Sequence, residues 1–287
     1  MNIISISKKK FDELKKINGE NNIYEFKYNG KNKIVKLLFQ KNSILYSNQL
    51  YTISMLNEYK QYLPTNFCVP DSILCINNSV EAIVEENVIG QNLSLFLQNP
   101  KINPQNKIYY LKEIGKILLE LDKIRKTTRL KEIYINDLHE SNFIINQEGK
   151  LSVIDLDSCK IFENEPFPAK YLTPYSLLNN IEGKYNVNKT DNSIGYVHAD
   201  ENTDIYCYII TILNYLYGKN INNLSKDEYY EYLNYLEHIN LNKNLIYSFS
   251  KIVEHGPNEN PIYYLSDITN EQVERAKDYY KELKFKL

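Results

Sequence analysis

The residues whose types and spacing best fit a chemical site lie between positions 134 and 160. Residues 137–142 read Asp-Leu-His-Glu-Ser-Asn, and an apolar hairpin then leads to Asp-Leu-Asp at residues 155–157. Carboxylate and amide oxygens suit magnesium. Phosphoryl transfer needs such a metal and a carboxylate that orients the attacking hydroxyl. The alternative is that these residues only cap turns. The ordered set around a hairpin favours a metal–phosphate centre.

The composition limits the class of protein. The chain has 287 residues, 43% hydrophobic and 24% charged, with a net charge of −2 and a pI of about 6.2. These values predict a globular, soluble protein without the basic excess that nucleic acid or an anionic membrane would attract. Four cysteines occur without a C-x-x-C pair, which indicates reduced thiols. With no apolar leader or membrane-length segment, a cytoplasmic location is expected.

The elements that must position these residues change type along the chain. β-type runs occupy residues 23–28, 33–39, 72–76 and 81–85, and a helix-like segment spans residues 50–63. Asn29-Gly30 predicts a tight hairpin between the first two strands. The first hundred residues are therefore expected to form a sheet with one helix.

After Pro104 the pattern becomes mostly helical. Residues 107–124 place apolar side chains on one stripe, and residues 205–216 are apolar on nearly all sides, which is typical of a buried helix. Two capping boxes, Ser225 with Glu228 and Thr269 with Gln272, predict later helix starts. Residues 158–200 read as a long polar loop. The predicted fold class is α+β.

On these residues the chain resembles the eukaryotic-like protein kinase superfamily, over roughly residues 18–218. Asp137 is similar to the catalytic-loop aspartate, Asn142 to the metal-binding asparagine and Asp155 to the D-F-G aspartate. Lys36, within Lys-Ile-Val-Lys-Leu, resembles the lysine of the third strand that reaches the phosphates. Glu58 is the best match for its ion-pair partner.

The resemblance also implies roles outside the catalytic loop. Glu85 and Asn87 lie where adenine would meet the backbone of a hinge, and Gly19 lies where a glycine-rich loop would cover the phosphates. Asp204 resembles the aspartate that braces the catalytic loop. The implied fold is bilobal, with a small β-rich N-lobe at residues 1–86 and a larger helical C-lobe at residues 87–287. The implied cofactors are ATP and Mg²⁺.

Several residues have a second interpretation. Lys33 replaces Lys36 if the strand register shifts by three residues, and either lysine or Glu58 could be solvated. Glu85 could also be solvated, since a hinge acts through its backbone. His139 is as consistent with a structural role in the loop as with a catalytic one, in which it would donate to the transferring phosphate.

The sequence departs from the kinase pattern in three places. Only Gly19 remains of the glycine-rich loop, and Ile135-Asn136 replaces the His-Arg that precedes the catalytic aspartate. Without that arginine, we expect no requirement for phosphorylation of the loop at residues 158–203. Asp157 replaces the glycine of D-F-G, and it is expected to cap the following turn rather than to join the metal shell.

The resemblance implies an ATP-dependent phosphotransferase whose acceptor is a hydroxyl, most simply a Ser or Thr of a protein. Asp-Leu-His-x-x-Asn, with His139, is also common in kinases of antibiotics, choline and other small molecules. A third alternative is a pseudokinase that acts through partners, suggested by the lost glycines. The sequence does not predict the oligomeric state.

Overall fold

The structure is a computed structural model. It describes residues 1–17, 22–41, 43–162, 167–168, 188–189, 195–197, 201–254 and 259–284. The expectation about phosphorylation of residues 158–203 falls largely outside the described residues.

The N-terminal part of the chain forms a five-stranded sheet. Its strands are β1 (Asn2–Ile6), β2 (Ile23–Tyr28), β3 (Lys31–Leu37), β4 (Ser72–Ile76) and β5 (Ser79–Glu86). Their order is β1-β4-β5-β3-β2, and β1 lies parallel to β4 while the other neighbours are antiparallel. Four of these strands match predicted runs to within two residues. Strand β1 was not predicted.

The β2–β3 hairpin confirms the turn predicted from Asn29-Gly30. Both residues have a positive φ, 49° for Asn29 and 76° for Gly30, which a type I′ turn requires. Tyr28 pairs with Lys31 across it, and the register continues to Ile23 opposite Lys36. The turn therefore fixes where Lys36 lies along the sheet.

Two helices accompany the sheet. The short helix α1 (Lys8–Asp12) buries Phe11 against one face of the sheet, together with Phe26, Val35 and Leu74. The longer helix α2 (Ile44–Glu58) begins at an N-cap, Ser43, whose hydroxyl accepts a hydrogen bond from the Tyr46 amide. It therefore starts six residues before the predicted helix at residues 50–63. A 3₁₀ turn (Lys60–Tyr62) follows it.

The remainder of the chain is mainly helical. The helices are α3 (Leu93–Gln98), α4 (Pro104–Thr127), α5 (Glu201–Tyr217), α6 (Lys226–His238), α7 (Lys243–Glu254) and α8 (Asn270–Lys284). Further 3₁₀ helices span Glu140–Asn142, Leu156–Ser158, Ile221–Asn223 and Pro261–Asp267. The short strands are β6 (Gly90–Asn92), β7 (Ile133–Tyr134), β8 (Phe143–Asn146), β9 (Leu151–Val153), β10 (Lys160–Ile161), β11 (Phe167–Pro168), β12 (Asn188–Lys189) and β13 (Gly195–Val197).

Helix α5 is the buried helix that the sequence predicted. Tyr206, Tyr208 and Leu213 are almost fully buried, and the helix is followed by Gly218 with a φ of 76°. Helix α4 approaches it closely at Gly115, where an added Cβ would lie 2.7 Å from the Tyr208 hydroxyl oxygen. This contact packs α4 against α5 in the hydrophobic core, and that core supports the neighbouring loops.

Both predicted capping boxes are confirmed. Ser225 and Glu228 exchange side-chain and backbone hydrogen bonds at the start of α6, and Thr269 and Gln272 do so before α8. The α+β class is confirmed, with a small sheet region and a helical part. Among the described residues, no helix combines the length and apolar character needed to cross a membrane.

Candidate active site

The loop that carries Asp137 is held in place from below by helix α5. Both carboxylate oxygens of Asp204 accept backbone hydrogen bonds, one from the Ile135 amide and one from the Asn136 amide, each at 2.9 Å. Asn136 has a φ of 65°, which turns the chain sharply before Asp137. Bonds from amides to a buried carboxylate are stronger than neutral ones. Asp204 therefore braces this loop, as its sequence position predicted.

Asn142 closes the loop and joins it to the next strand. Its side-chain nitrogen donates to the Asp137 carbonyl oxygen at 2.9 Å, and its own carbonyl accepts from the Ile154 amide at 3.0 Å. Among the described residues, none donates a hydrogen bond to Asn142 Oδ1. Asn142 therefore fixes Asp137 and Asp155 to neighbouring stretches of backbone while keeping an amide oxygen available as a metal ligand.

His139 is buried beside Asp137. Its Nδ1 accepts a hydrogen bond from the Ser141 amide at 3.2 Å, which caps the 3₁₀ helix Glu140–Asn142. In the neutral ring the proton therefore lies on Nε2. That nitrogen is 3.7 Å from Asp137 Oδ2. The two interpretations from sequence are compatible, because one ring nitrogen shapes the loop and the other faces the carboxylate.

Lys36 of β3 contacts the second acidic segment, residues 155–157. Its ammonium contacts Asp155 Oδ1 and lies 2.7 Å from Asp157 Oδ1. Asp155 has a left-handed backbone (φ 62°, ψ 42°), a conformation that costs a non-glycine residue roughly 1–3 kcal/mol. The turn directs both carboxylates towards one lysine. Lys33, the alternative, pairs instead with Asp71 at 2.5 Å.

The partner predicted for Lys36 was wrong. Glu58 is exposed and forms no ion pair among the described residues. Gln49 of the same helix takes the inward position, where its amide nitrogen donates to Asp157 Oδ2 and its oxygen accepts from the Phe39 amide at 3.1 Å. The two residues are nine positions apart, which places them about 180° apart around an α-helix.

The interpretation of Asp157 was also wrong. Its side chain does not cap the turn but lies buried between Lys36 and Gln49. Burial alone would raise the pKa of Asp157, yet the Lys36 ammonium and the hydrogen bonds it accepts lower it. Burial and the neighbouring Asp157 charge instead raise the pKa of Asp155 to about 6. Two carboxylates therefore share one ammonium, and Asp155 is the one that takes up a proton more readily.

Glu85 is buried on the face of the sheet that carries Lys36. Lys36 pairs with Ile83 and Ile34 pairs with Glu85, and side chains two apart along a strand share a face. Glu85 is 5% exposed, so it is not the solvated residue that sequence allowed. Burial, opposed by Lys36 and reinforced by Asp157 and Asp155, raises the pKa of Glu85 to about 8.

The described carboxylates form one acidic region. The thiol of Cys159 is fully buried, and its pKa is raised first by burial and then by Asp204, Asp157, Asp155 and Asp137 in that order. All four charges therefore act on the same buried thiol. Burial of Lys36 would lower the pKa of its ammonium, but the carboxylates of Asp157, Asp155 and Glu85 raise it instead. Lys36 stays charged.

Asn87 and Gly19 are the remaining predicted cofactor residues. Asn87 follows β5 and is half-buried, without a side-chain hydrogen bond among the described residues. Gly19 lies outside the described residues. Gln49 was not predicted as a site residue because it lies one position before the start of the predicted helix. The signal was the buried stripe of Gln49, Thr52, Ile53 and Leu56, which has helical spacing once the helix begins at Ile44.

The donors present fit a magnesium ion that is completed by phosphate oxygens. No group of three or more His, Cys, Asp or Glu residues suited to a metal occurs in the described parts of the chain. Asn142 and Asp155 offer one amide oxygen and one carboxylate. Magnesium is usually held by one or two carboxylates plus substrate phosphates rather than by a cage made only of protein. The pair is thus sufficient only together with a nucleotide.

Comparisons with known proteins add no relative. The sequence matches no protein-family model, and no curated protein matches it significantly.

Proposed function

We propose that the chain is an ATP-dependent phosphotransferase that moves the γ-phosphoryl group of MgATP to a hydroxyl. The observation that carries the proposal is the meeting of Lys36 with Asp155 and Asp157, across 119 and 121 residues of sequence, beside the braced loop of Asp137 and Asn142. A cation for phosphates, a carboxylate for the hydroxyl and two oxygen ligands for a metal are the parts that this chemistry needs.

The proposal includes a bilobal kinase-like fold, with an N-lobe at residues 1–86 and a C-lobe at residues 87–287. The five-stranded sheet ends at Glu86, and the helical part follows it, which supports this division. Lys36 of the first part contacts Asp155 and Asp157 of the second, and Gln49 also contacts Asp157. Adenine would lie near the end of β5, beside Glu85 and Asn87.

Each residue has a definite role in the proposed reaction. Asp137 accepts the hydrogen bond of the acceptor hydroxyl and takes its proton as the oxygen bonds to phosphorus, while the bond to the leaving β-phosphate oxygen breaks. Lys36 holds phosphate oxygens. His139 Nε2, the protonated nitrogen, orients Asp137 or donates to the transferred group. Asn142 and Asp155 would hold magnesium, which would supply positive charge to the phosphate oxygens.

Binding of nucleotide requires Lys36 to exchange one contact. Its ammonium now contacts Asp155, the proposed metal ligand. With MgATP bound, Lys36 would contact phosphate oxygens and the Asp155 carboxylate would be free to serve as a metal ligand. Asp157 keeps its hydrogen bond from Gln49 throughout, so it retains the lysine near the site rather than joining the metal shell.

The acceptor is proposed to be a Ser or Thr of a protein. A small-molecule kinase with a cationic acceptor would need an acidic pocket in the helical part. The cavity beside the catalytic loop instead has Lys107, Lys219 and Lys277 in its wall, against Glu140 and Glu274. That excess of lysine argues against a cationic acceptor.

The test is incubation of the purified protein with γ-labelled ATP and magnesium, with a generic protein substrate. Asp137→Ala is expected to reduce label transfer by about 10²–10⁴-fold, the usual effect of removing a general base. Asp155→Ala should also reduce label transfer, because it removes a proposed magnesium ligand. Asp227→Ala, an exposed aspartate of α6, is the matched control and should transfer label normally.

Transfer that survives in both site variants would contradict the proposal. Absence of label together with stabilisation by MgATP would point to a dedicated acceptor. Absence of both would leave the pseudokinase alternative.

A further inference from the structure

The cavity beside the catalytic loop has a volume of about 680 Å³, and Lys36, Asp155 and Asp157 are not among the residues that line it. Its walls come from α3, α4, α5 and α8, and at one end from Leu138 to Ser141 of the catalytic loop. Small-molecule sites commonly enclose roughly 300–1,000 Å³. The size is therefore that of a ligand site and not of a packing defect.

A buried lysine lies in the wall of this cavity. Lys107 of α4 is 3% exposed, and no described carboxylate lies within ion-pair distance of its ammonium. Its ammonium lies over the Tyr215 ring, at 5.8 Å from the ring centroid. Burial and then the Lys277 charge lower the pKa of Lys107, while Glu274 opposes them. Buried cations are normally paired, so Lys107 lacks an anion.

Tyr215 provides a second group without a partner. It is 6% exposed and lines the cavity, and its hydroxyl makes no hydrogen bond with the described residues. A buried hydroxyl without a partner is uncommon and often marks an unseen ligand or water. Lys277 lies over the same ring at 5.2 Å, and its ammonium is 3.4 Å from Glu274. Glu274 is therefore the ion-pair partner of Lys277, and Lys107 has no such partner among the described residues.

We propose that this cavity binds a small anionic molecule, with a carboxylate or phosphate oxygen that accepts hydrogen bonds from the Lys107 ammonium and the Tyr215 hydroxyl. Both residues line the cavity. Lys277 adds long-range attraction. The apolar wall, which includes Leu97 and Ile210, accommodates the rest of the ligand.

The inference does not rest on the proposed phosphoryl transfer. The cavity reaches the catalytic loop through His139, but neither Lys107 nor Tyr215 belongs to the proposed nucleotide site. A failure of one proposal therefore leaves the other intact.

The test measures binding of inorganic phosphate and of citrate by calorimetry at constant ionic strength. Lys107→Met should weaken binding about tenfold or more, because it removes a hydrogen bond from a charged donor. Tyr215→Phe, which removes one oxygen atom and keeps the packing, should weaken it less. The control is Lys123→Met, an exposed lysine of the same helix, which makes the same change of charge.

Three results would overturn the inference. The first is that neither anion binds the unaltered protein. The second is equal affinity in the Lys107 and Lys123 variants. The third is binding that responds to Lys36→Met and not to Lys107→Met, which would place the anion in the nucleotide site. If Lys107→Met does not fold, the comparison of Tyr215→Phe with Lys123→Met decides between the outcomes.

Discussion

At the residue scale, Glu85 has an environment that depends on pH. Its carboxyl is buried near Asp155 and Asp157, and its pKa is raised to about 8 from an ordinary value of 4.5. At pH values between 4.5 and about 8, the Glu85 carboxyl is protonated in the folded state and ionised in the unfolded state. The free energy of unfolding therefore falls as pH rises through this window, by about 1.4 kcal/mol for each unit of separation at most.

As the pH rises from 5 to 8, we therefore expect the unfolding free energy of Glu85→Gln to increase relative to that of the unaltered protein by a few kcal/mol. The measurement is urea unfolding at several pH values. Glu86→Gln, the exposed neighbour, should follow the unaltered protein. Parallel stability curves for Glu85→Gln and the unaltered protein would show that Glu85 is ionised in the folded state at neutral pH.

Some residues of the candidate site could be predicted from the sequence, and others could not. Asp137, Asn142 and Asp155 follow from spacing, because a tight hairpin leaves little freedom in where its ends lie. Glu58 did not follow, because a helical residue faces the site only if the helix phase is known, and that phase depends on where Ser43 caps it. The kinase resemblance implied a glutamate beside Lys36, whereas Gln49 donates to Asp157, which pairs with that lysine.

At the scale of elements, Asp204 of helix α5 holds the loop that carries Asp137. Asp204→Ala leaves the amides of Ile135 and Asn136 without these acceptors in a buried place. The expected cost is roughly 2–5 kcal/mol of unfolding free energy, together with loss of label transfer. Asp204→Asn retains one acceptor oxygen and should lose less. The free energies are measured by urea unfolding.

The control for this series is Asp227→Ala at the exposed start of α6, which should change stability by no more than about 0.5 kcal/mol. Equal stability of Asp204→Ala and the unaltered protein would mean that water or another group supplies the acceptors. In that case the loop would not owe its geometry to α5.

Strand β1 illustrates an element that the sequence did not predict. Residues 2–6 alternate exposed and buried, with Ile4 and Ile6 inward and Ile3 67% exposed. A five-residue run with an exposed isoleucine gives a weak periodic signal. Its position depends on pairing with β4, far along the chain, and the local sequence does not indicate that partner. The helices with capping boxes were predicted more accurately because their signals are local.

At the scale of the whole molecule, Lys36 connects the sheet to the segment after the hairpin. Lys36→Met leaves Asp155 and Asp157 near each other without their cation. Breaking a buried pair in this way costs about 3–5 kcal/mol, and less here because Asp155 is partly exposed. We therefore expect a lower unfolding free energy for Lys36→Met at pH 8, and a smaller deficit at pH 5, where Asp155 is protonated.

The same variant should also lose the response to nucleotide. MgATP at a hundredfold excess over its dissociation constant should raise the unfolding free energy of the unaltered protein by ~2.7 kcal/mol. Lys33→Met is the matched control, because Lys33 lies on the same strand and pairs with Asp71 outside the acidic cluster. If MgATP stabilises Lys36→Met as much as Lys33→Met, Lys36 does not contribute to nucleotide binding.

The parallel pairing of β1 also has a consequence for the order in which the chain is made. Asn2 pairs with Ser72, so β1 emerges from the ribosome long before its partner. At about 5–20 residues per second, Ile4 and Ile6 wait roughly 4–14 s for β4 to be synthesised. The sheet is completed only after Glu86 has been added, since β5 joins β4 to β3. The first strand made is therefore among the last that can dock, and a nascent chain halted before Ser72 should attract chaperones through its N-terminal strand.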